Sequence, residues 1–173
     1  MDVISDFSLT KTFFVIALLA AAGSDAASYR IPNVIVIALL LGFAAASLAG
    51  SADIDWLDHF LAGAILFVCG IVFYSMGQMG AGDVKLLGAI ALWGGMGALV
   101  PLVFWISVAG LLVIVGLLVL RRLIPLLRSS HIGPPPDSLP RVLIPGEGVP
   151  YGVPIFLGTC IALSEFPPWL WAF

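Results

Sequence analysis

Charge is what this chain has least of. Only 10% of its 173 residues are Asp, Glu, Lys or Arg, against roughly 25% in soluble chains. The hydrophobic share is 61% and mean hydropathy is +1.16, which together exclude an ordinary soluble domain. The net charge of −3 comes with no basic stretch, so nothing tracks a phosphate backbone and no nucleic-acid partner is expected. The two cysteines, Cys69 and Cys160, form no CxxC, leaving neither a zinc site nor a disulfide framework. HExxH is missing, and His59 and His131 read as loop residues on opposite sides of a membrane, which argues against a metal centre. GxSxG is also missing, so a serine nucleophile of that pattern has no support. The strand alternation of an outer-membrane barrel is absent too.

What the chain has in abundance is long apolar runs. A spanning helix needs about 20 mostly apolar residues, and six candidates follow: Leu9–Gly23, Asn33–Gly50, Phe60–Met79, Val84–Met96, Val100–Leu120 and Tyr151–Trp171. Backbone groups in hydrocarbon must bond internally, so helices are the default. Pro167-Pro168 is expected to end the last helix early. Phe13–Ala22 resembles the core of a secretory signal, but Asp2 and Asp6 precede it against a single Lys11. It is therefore read as a retained first span. The chain reads as all-α and polytopic, with about six transmembrane helices in one domain, 1–173, and both termini outside. That topology puts Arg30, Lys85, Arg121, Arg122, Arg128 and Arg141 inside and only Lys11 outside, the positive-inside pattern. It also sends Trp56, Trp93, Trp105, Trp169 and Trp171 toward the outer interface, and Tyr29, Tyr74 and Tyr151 toward the inner one. The sizeable cytoplasmic loop is 121–150, whose Gly133-Pro134-Pro135-Pro136 favours an extended path. Its four arginines read as part of a solvated connector, with anionic lipid or a charged substrate as the alternative.

Carboxylates at the edge of a span are costly unless paired, solvated or protonated. Most acidic residues here avoid that cost in tails or loops. Asp25, just after the first span, and Asp83, between the third and fourth, do not. Both fall at the cytoplasmic boundary, where they can meet. Asp25 alone is also readable as an interfacial residue paired with Arg30. Asp83, in Gly80-Ala81-Gly82-Asp83-Val84-Lys85, is also readable as a helix cap. The two glycines allow positive φ and a close approach of backbone. A dinucleotide loop would need a third glycine at 85, which is lysine.

Taken together, GxGD opening a helix and an aspartate shortly before Ile31-Pro32-Asn33 resemble the type IV prepilin peptidases, which are GxGD intramembrane aspartic peptidases. Pro150-Tyr151-Gly152-Val153-Pro154 before the last span extends the likeness along the whole chain. The short form is similar to the Tad/Flp-type prepilin peptidases. Larger relatives carry paired CxxC motifs and an N-methyltransferase activity; this sequence has neither those cysteines nor the room. In the Asp25–Asn33 stretch only Arg30 is basic, where relatives often have several.

The resemblance implies catalytic Asp25 and Asp83, an active-site loop with Gly80, Gly82 and Lys85, and no cofactor. It further implies prepilin or pseudopilin precursors as partners, cut on the cytoplasmic face of a bacterial inner membrane. Two carboxyl groups that share a proton suffice for such hydrolysis. The ionised one takes a proton from the attacking water, and the protonated one donates to the oxyanion. The rival reading is a small ion- or proton-coupled transporter, since intramembrane carboxylates mark ion pathways too. It expects carboxylates deeper in the spans. A non-catalytic scaffold in a pilus-assembly machine is the third.

Overall fold

Apolar runs separated by short polar breaks predict a helical bundle, and a computed structural model has that architecture. It describes residues 9–49, 54–129, 140–144 and 148–168. In chain order the helices are α1 (Leu9–Ser28), α2 (Asn33–Ala49), α3 (Trp56–Ser75), α4 (Ala81–Ser129) and α5 (Gly152–Ala162). Short 3-10 turns follow at Arg141–Leu143 and Leu163–Glu165. No strand occurs among the described residues.

Three helical stretches, Leu9–Ser28, Trp56–Ser75 and Ala81–Pro125, are long and apolar enough to cross a membrane, and Asn33–Ala49 and Gly152–Glu165 are shorter apolar helices. The outer surface carries Leu41, Val68, Leu111 and Leu112, each more than half exposed. A continuous apolar exterior of this kind suits lipid rather than water. The chain is a membrane protein.

Gly95 divides α4 into two arms, 81–94 and 96–129. Its φ of 69° with ψ of −178° is a conformation that only glycine adopts at little cost. A break strands the last carbonyls of one helix and the first N–H groups of the next. Two consecutive residues in the first turn of α3 meet both needs. The Met96 N–H donates to Asp58 Oδ2 at 2.9 Å. Nδ1 of His59 lies 2.7 Å from the Leu92 carbonyl, and because a carbonyl only accepts, Nδ1 carries the proton. Asp55 caps α3 by accepting the Asp58 N–H, which is why this helix opens at Trp56 rather than Phe60.

The first arm of α4 is the central post. Leu86, Ala89, Ile90, Ala91 and Trp93 are all buried, as expected of a helix apolar on every side. α1 turns one stripe into the core, Phe14, Ala17, Leu18, Ala21, Ala22 and Asp25, whose steps of three and four follow the helical period. It packs mainly on α5 and α2, and Phe14 reaches Trp93 of the post.

Three expectations are corrected. His59 is not a loop residue: it is buried in α3, held by Leu92 and by the Phe43 ring at 5.4 Å. Trp93 is not an interfacial anchor, because its indole N–H donates to the Leu39 carbonyl inside the core. The 121–150 segment does not begin as a loop, since α4 continues to Ser129. The apolar run ends at Leu120, but arginine is a good helix former, so Arg121 and Arg122 carry the helix on past it. The early end of the last helix is observed: Phe166 is extended, with ψ of 150°, as the residue before a proline tends to be. His131, Pro134–Pro136, Trp169 and Trp171 lie outside the described residues.

Gly95→Ala is expected to destabilise the protein by about 1–3 kcal/mol, because a Cβ at positive φ is strained and this one would strike the Asp58 carboxylate. Gly97→Ala, whose methyl meets open space, should stay within about 0.5 kcal/mol of wild type. Thermal unfolding in detergent, comparing the two variants, checks this; equal losses would refute the role given to Gly95.

Candidate active site

A carboxylate on the core stripe of a helix has left water and needs donors. Asp25 is such a residue, 6% exposed in the last turn of α1. That is also the end of a helix whose dipole disfavours negative charge. Its compensation comes from far along the chain: the backbone N–H of Gly152 donates to Asp25 Oδ2 at 2.7 Å. Gly152 opens α5, so the positive end of that helix faces the carboxylate. Only a residue without a side chain permits this approach, since a Cβ on Gly152 would lie 2.8 Å from the Asp25 Cβ. Arg30, the alternative partner, is exposed, and the donor that Asp25 meets is Gly152.

Asp83 is 7% exposed in the first turn of α4. Its Oδ2 accepts the Gly80 N–H at 3.2 Å, the reciprocal half of a capping box. The capping reading thus holds for one oxygen only. The other, Oδ1, is buried with no hydrogen-bond partner among the described residues. A cap does not require that, and an unsatisfied buried acceptor is costly.

The two carboxylates lie near enough for the charge of Asp25 to act on Asp83. The neighbouring segments lock them together. Gly82 packs so closely on Ile31 that a Cβ would sit 3.1 Å from the Ile31 Cβ, which ties the α1–α2 link to the start of α4. Lys85 turns away from the pair; its Nζ donates to Asn33 Oδ1 at 3.0 Å, bracing α2 against α4.

Sequence reasoning singled out Asp25, Asp83, Gly80 and Gly82, and these do come together. Lys85 is beside the group but not aimed into it. Gly152, in the Pro150–Pro154 stretch that extends the family likeness, both opens α5 and supplies the hydrogen bond to Asp25. The signal available was a glycine set between Tyr151 and Pro154 at a helix opening, where a side chain would ordinarily be tolerated. Among the described residues, no group of three or more His, Cys, Asp or Glu is placed to hold a metal ion.

An apolar cavity of about 390 Å³ reaches this end of the bundle. It extends between α3 and the second arm of α4, and it touches Met79, next to Gly80, and Tyr151, next to Gly152. The fold and site together define a helical membrane protein with a buried carboxylate pair at one end of its bundle.

Comparison with known families then assigns the chain. The model of the type IV leader peptidase family matches residues 12–115, and the chain belongs to that family. It is a leader peptidase-type protease, and membership implies action on prepilin-type precursors. No curated protein and no solved structure matches the chain. The matched region contains Asp25, Gly80, Gly82 and Asp83, whereas Arg121 and Gly152 lie beyond it.

Asp83→Asn keeps an oxygen for the Gly80 N–H and removes a charge from a buried, half-satisfied group. It should therefore unfold at a temperature equal to or above that of wild type, by up to ~1–3 kcal/mol in stability. Calorimetry of the purified variants checks this. A clear loss of Tm would mean that the carboxylate is retained for stability.

Proposed function

We propose that this chain is an aspartic endopeptidase that removes the leader of prepilin-like precursors at the cytoplasmic face of a bacterial inner membrane, with Asp25 and Asp83 as its reacting groups. The observation that carries the reading is the pairing of two buried carboxylates on different helices, one of them with an oxygen that meets no donor among the described residues. Gly80 stands beside them just before α4, Gly82 lies in the first turn of that helix, and Lys85 braces the same stretch through Asn33.

The chemistry needs no cofactor. One carboxylate takes a proton from water as the water oxygen adds to the scissile carbonyl carbon. The other, protonated, gives its proton to the developing oxyanion. As the tetrahedral species collapses, the C–N bond breaks and the leaving nitrogen takes up a proton from the pair. Two carboxyl groups at close quarters hold one proton between them more readily than two charges, which supplies an acid and a base in one centre. The cavity leading to Met79 and Tyr151 suits the apolar segment of a membrane-anchored precursor.

Topology supports the same face. Helix direction alternates through α1, α2, α3, the two arms of α4 and α5, which is consistent with six crossings. Asp25, Asp83, Gly152 and Arg121 then share one end with the basic residues. The second arm of α4 is roughly 50 Å long at 1.5 Å per residue, longer than the ~30 Å hydrocarbon core. Its end with Arg121 and Arg122 projects past the core on the positive side.

Two outcomes are expected. In membranes containing the chain and a pilin-like precursor, wild type removes the leader, while Asp25→Asn and Asp83→Asn at equal expression each fall by at least ~100-fold. Cleavage surviving in both variants would end the dyad reading. In a background of Cys69→Ser and Cys160→Ser, a membrane-impermeant maleimide should label Ala49→Cys on intact cells. Ser28→Cys should label only after permeabilisation; the reverse pattern would invert the topology.

A further inference from the structure

The segment that delivers Gly152 to Asp25 is held in place by residues that play no part in the dyad. Arg121, on the second arm of α4, donates from Nε and Nη2 to the Val142 carbonyl at 3.1 and 2.8 Å. Its Nη2 also donates to the Gly148 carbonyl at 2.9 Å. The Gly148 carbonyl receives a second donor, the Tyr29 hydroxyl, at 3.4 Å. Tyr29 is the non-glycine residue with positive φ among the described residues, at 54°, a conformation that crowds its Cβ. Its ring lies under the Arg141 guanidinium, 5.5 Å from the centroid, in cation–π range. One side chain on α4 and one strained residue just past α1 thus converge on a single carbonyl, a few residues before Gly152.

This matters because Asp25 stands at the unfavourable end of its own helix. Its hydrogen bond from Gly152 depends on where the returning segment lies, and misplacement by an ångström at a reacting group costs rate steeply. A planar guanidinium holds two carbonyls in fixed directions at once. An ammonium is a point donor without that geometry.

We propose that Arg121 is a positioning residue for Asp25: through the Val142 and Gly148 carbonyls it sets where the Gly152 N–H meets the carboxylate. The proposal rests on the reading of Asp25 as a reacting group.

The test uses the full chain in detergent, with Arg121→Ala, Arg121→Lys, Gly152→Ala and the double variant Arg121→Ala/Gly152→Ala. Trypsin cleavage after Arg141 reports docking of the segment independently of peptidase activity. Leader removal gives kcat and KM. Arg121→Ala is expected to speed cleavage after Arg141 on the order of tenfold. It should lower kcat on the order of 10- to 100-fold with KM within about twofold. Arg121→Lys should recover part of kcat. The double variant should be no slower than Gly152→Ala alone, because both changes act through one contact.

Multiplied losses in the double variant would overturn the proposal, as would a risen KM at unchanged kcat, which would make Arg121 a substrate contact. Unchanged trypsin protection would overturn it as well. A wild type that cleaves no precursor, with protection still lost in Arg121→Ala, would refute the peptidase reading and take the positioning role with it. In that case the docking contact itself stands.

Discussion

A carboxylate buried in an apolar bundle is tolerable only where donors reach it or a proton neutralises it, and the way Asp25 meets that condition organises this molecule. Its own helix offers it the wrong end of a dipole. The donor comes instead from the start of α5, so α1 and α5 must lie side by side although most of the chain separates them. The returning segment must then follow a defined path, and Arg121 and Tyr29 hold it there. Gly152 must lack a side chain. Each of these features would be dispensable if position 25 were apolar.

The opposite end of the bundle solves a related problem differently. Breaking α4 at Gly95 creates unpaired backbone groups in an apolar setting, and Asp58 and His59 satisfy one on each side of the break. That clasp allows the first arm of α4 to be short and largely enclosed, a post that carries Asp83 at its far end. The two ends differ in a telling respect. Around Gly95 a freed carbonyl and a freed N–H each find a side-chain partner, whereas Asp83 keeps an oxygen that nothing in the described protein satisfies. A cost of that kind is not explained by stability alone.

Much of this was legible in the residues. Apolar runs of spanning length, the positive-inside bias and the two expensive aspartates all follow from composition and spacing, because lipid imposes the same requirements on every chain that enters it. The pairing of Asp25 with Asp83 followed from placing both at one boundary. The stripe that runs from Phe14 to Asp25 was also present in the sequence, since a helix fixes which residues share a face. Trp93 and His59 were misjudged for a common reason. Amphipathic side chains occur at interfaces and in cores alike, and only a carbonyl left free at the right distance, Leu39 or Leu92, determines which.

By itself, then, the sequence determined that the chain is helical, apolar on its outside and burdened with two carboxylates at the ends of apolar runs. Those properties depend on local composition and on a solvent that is the same everywhere along the bilayer. Only the tertiary structure decided that Gly152 is the donor to Asp25, that Asp58 and His59 close the break in α4, and that Arg121 grips the segment between them. Hydrogen bonds between distant segments depend on distance and direction in three dimensions, and neither quantity is written in the order of the residues.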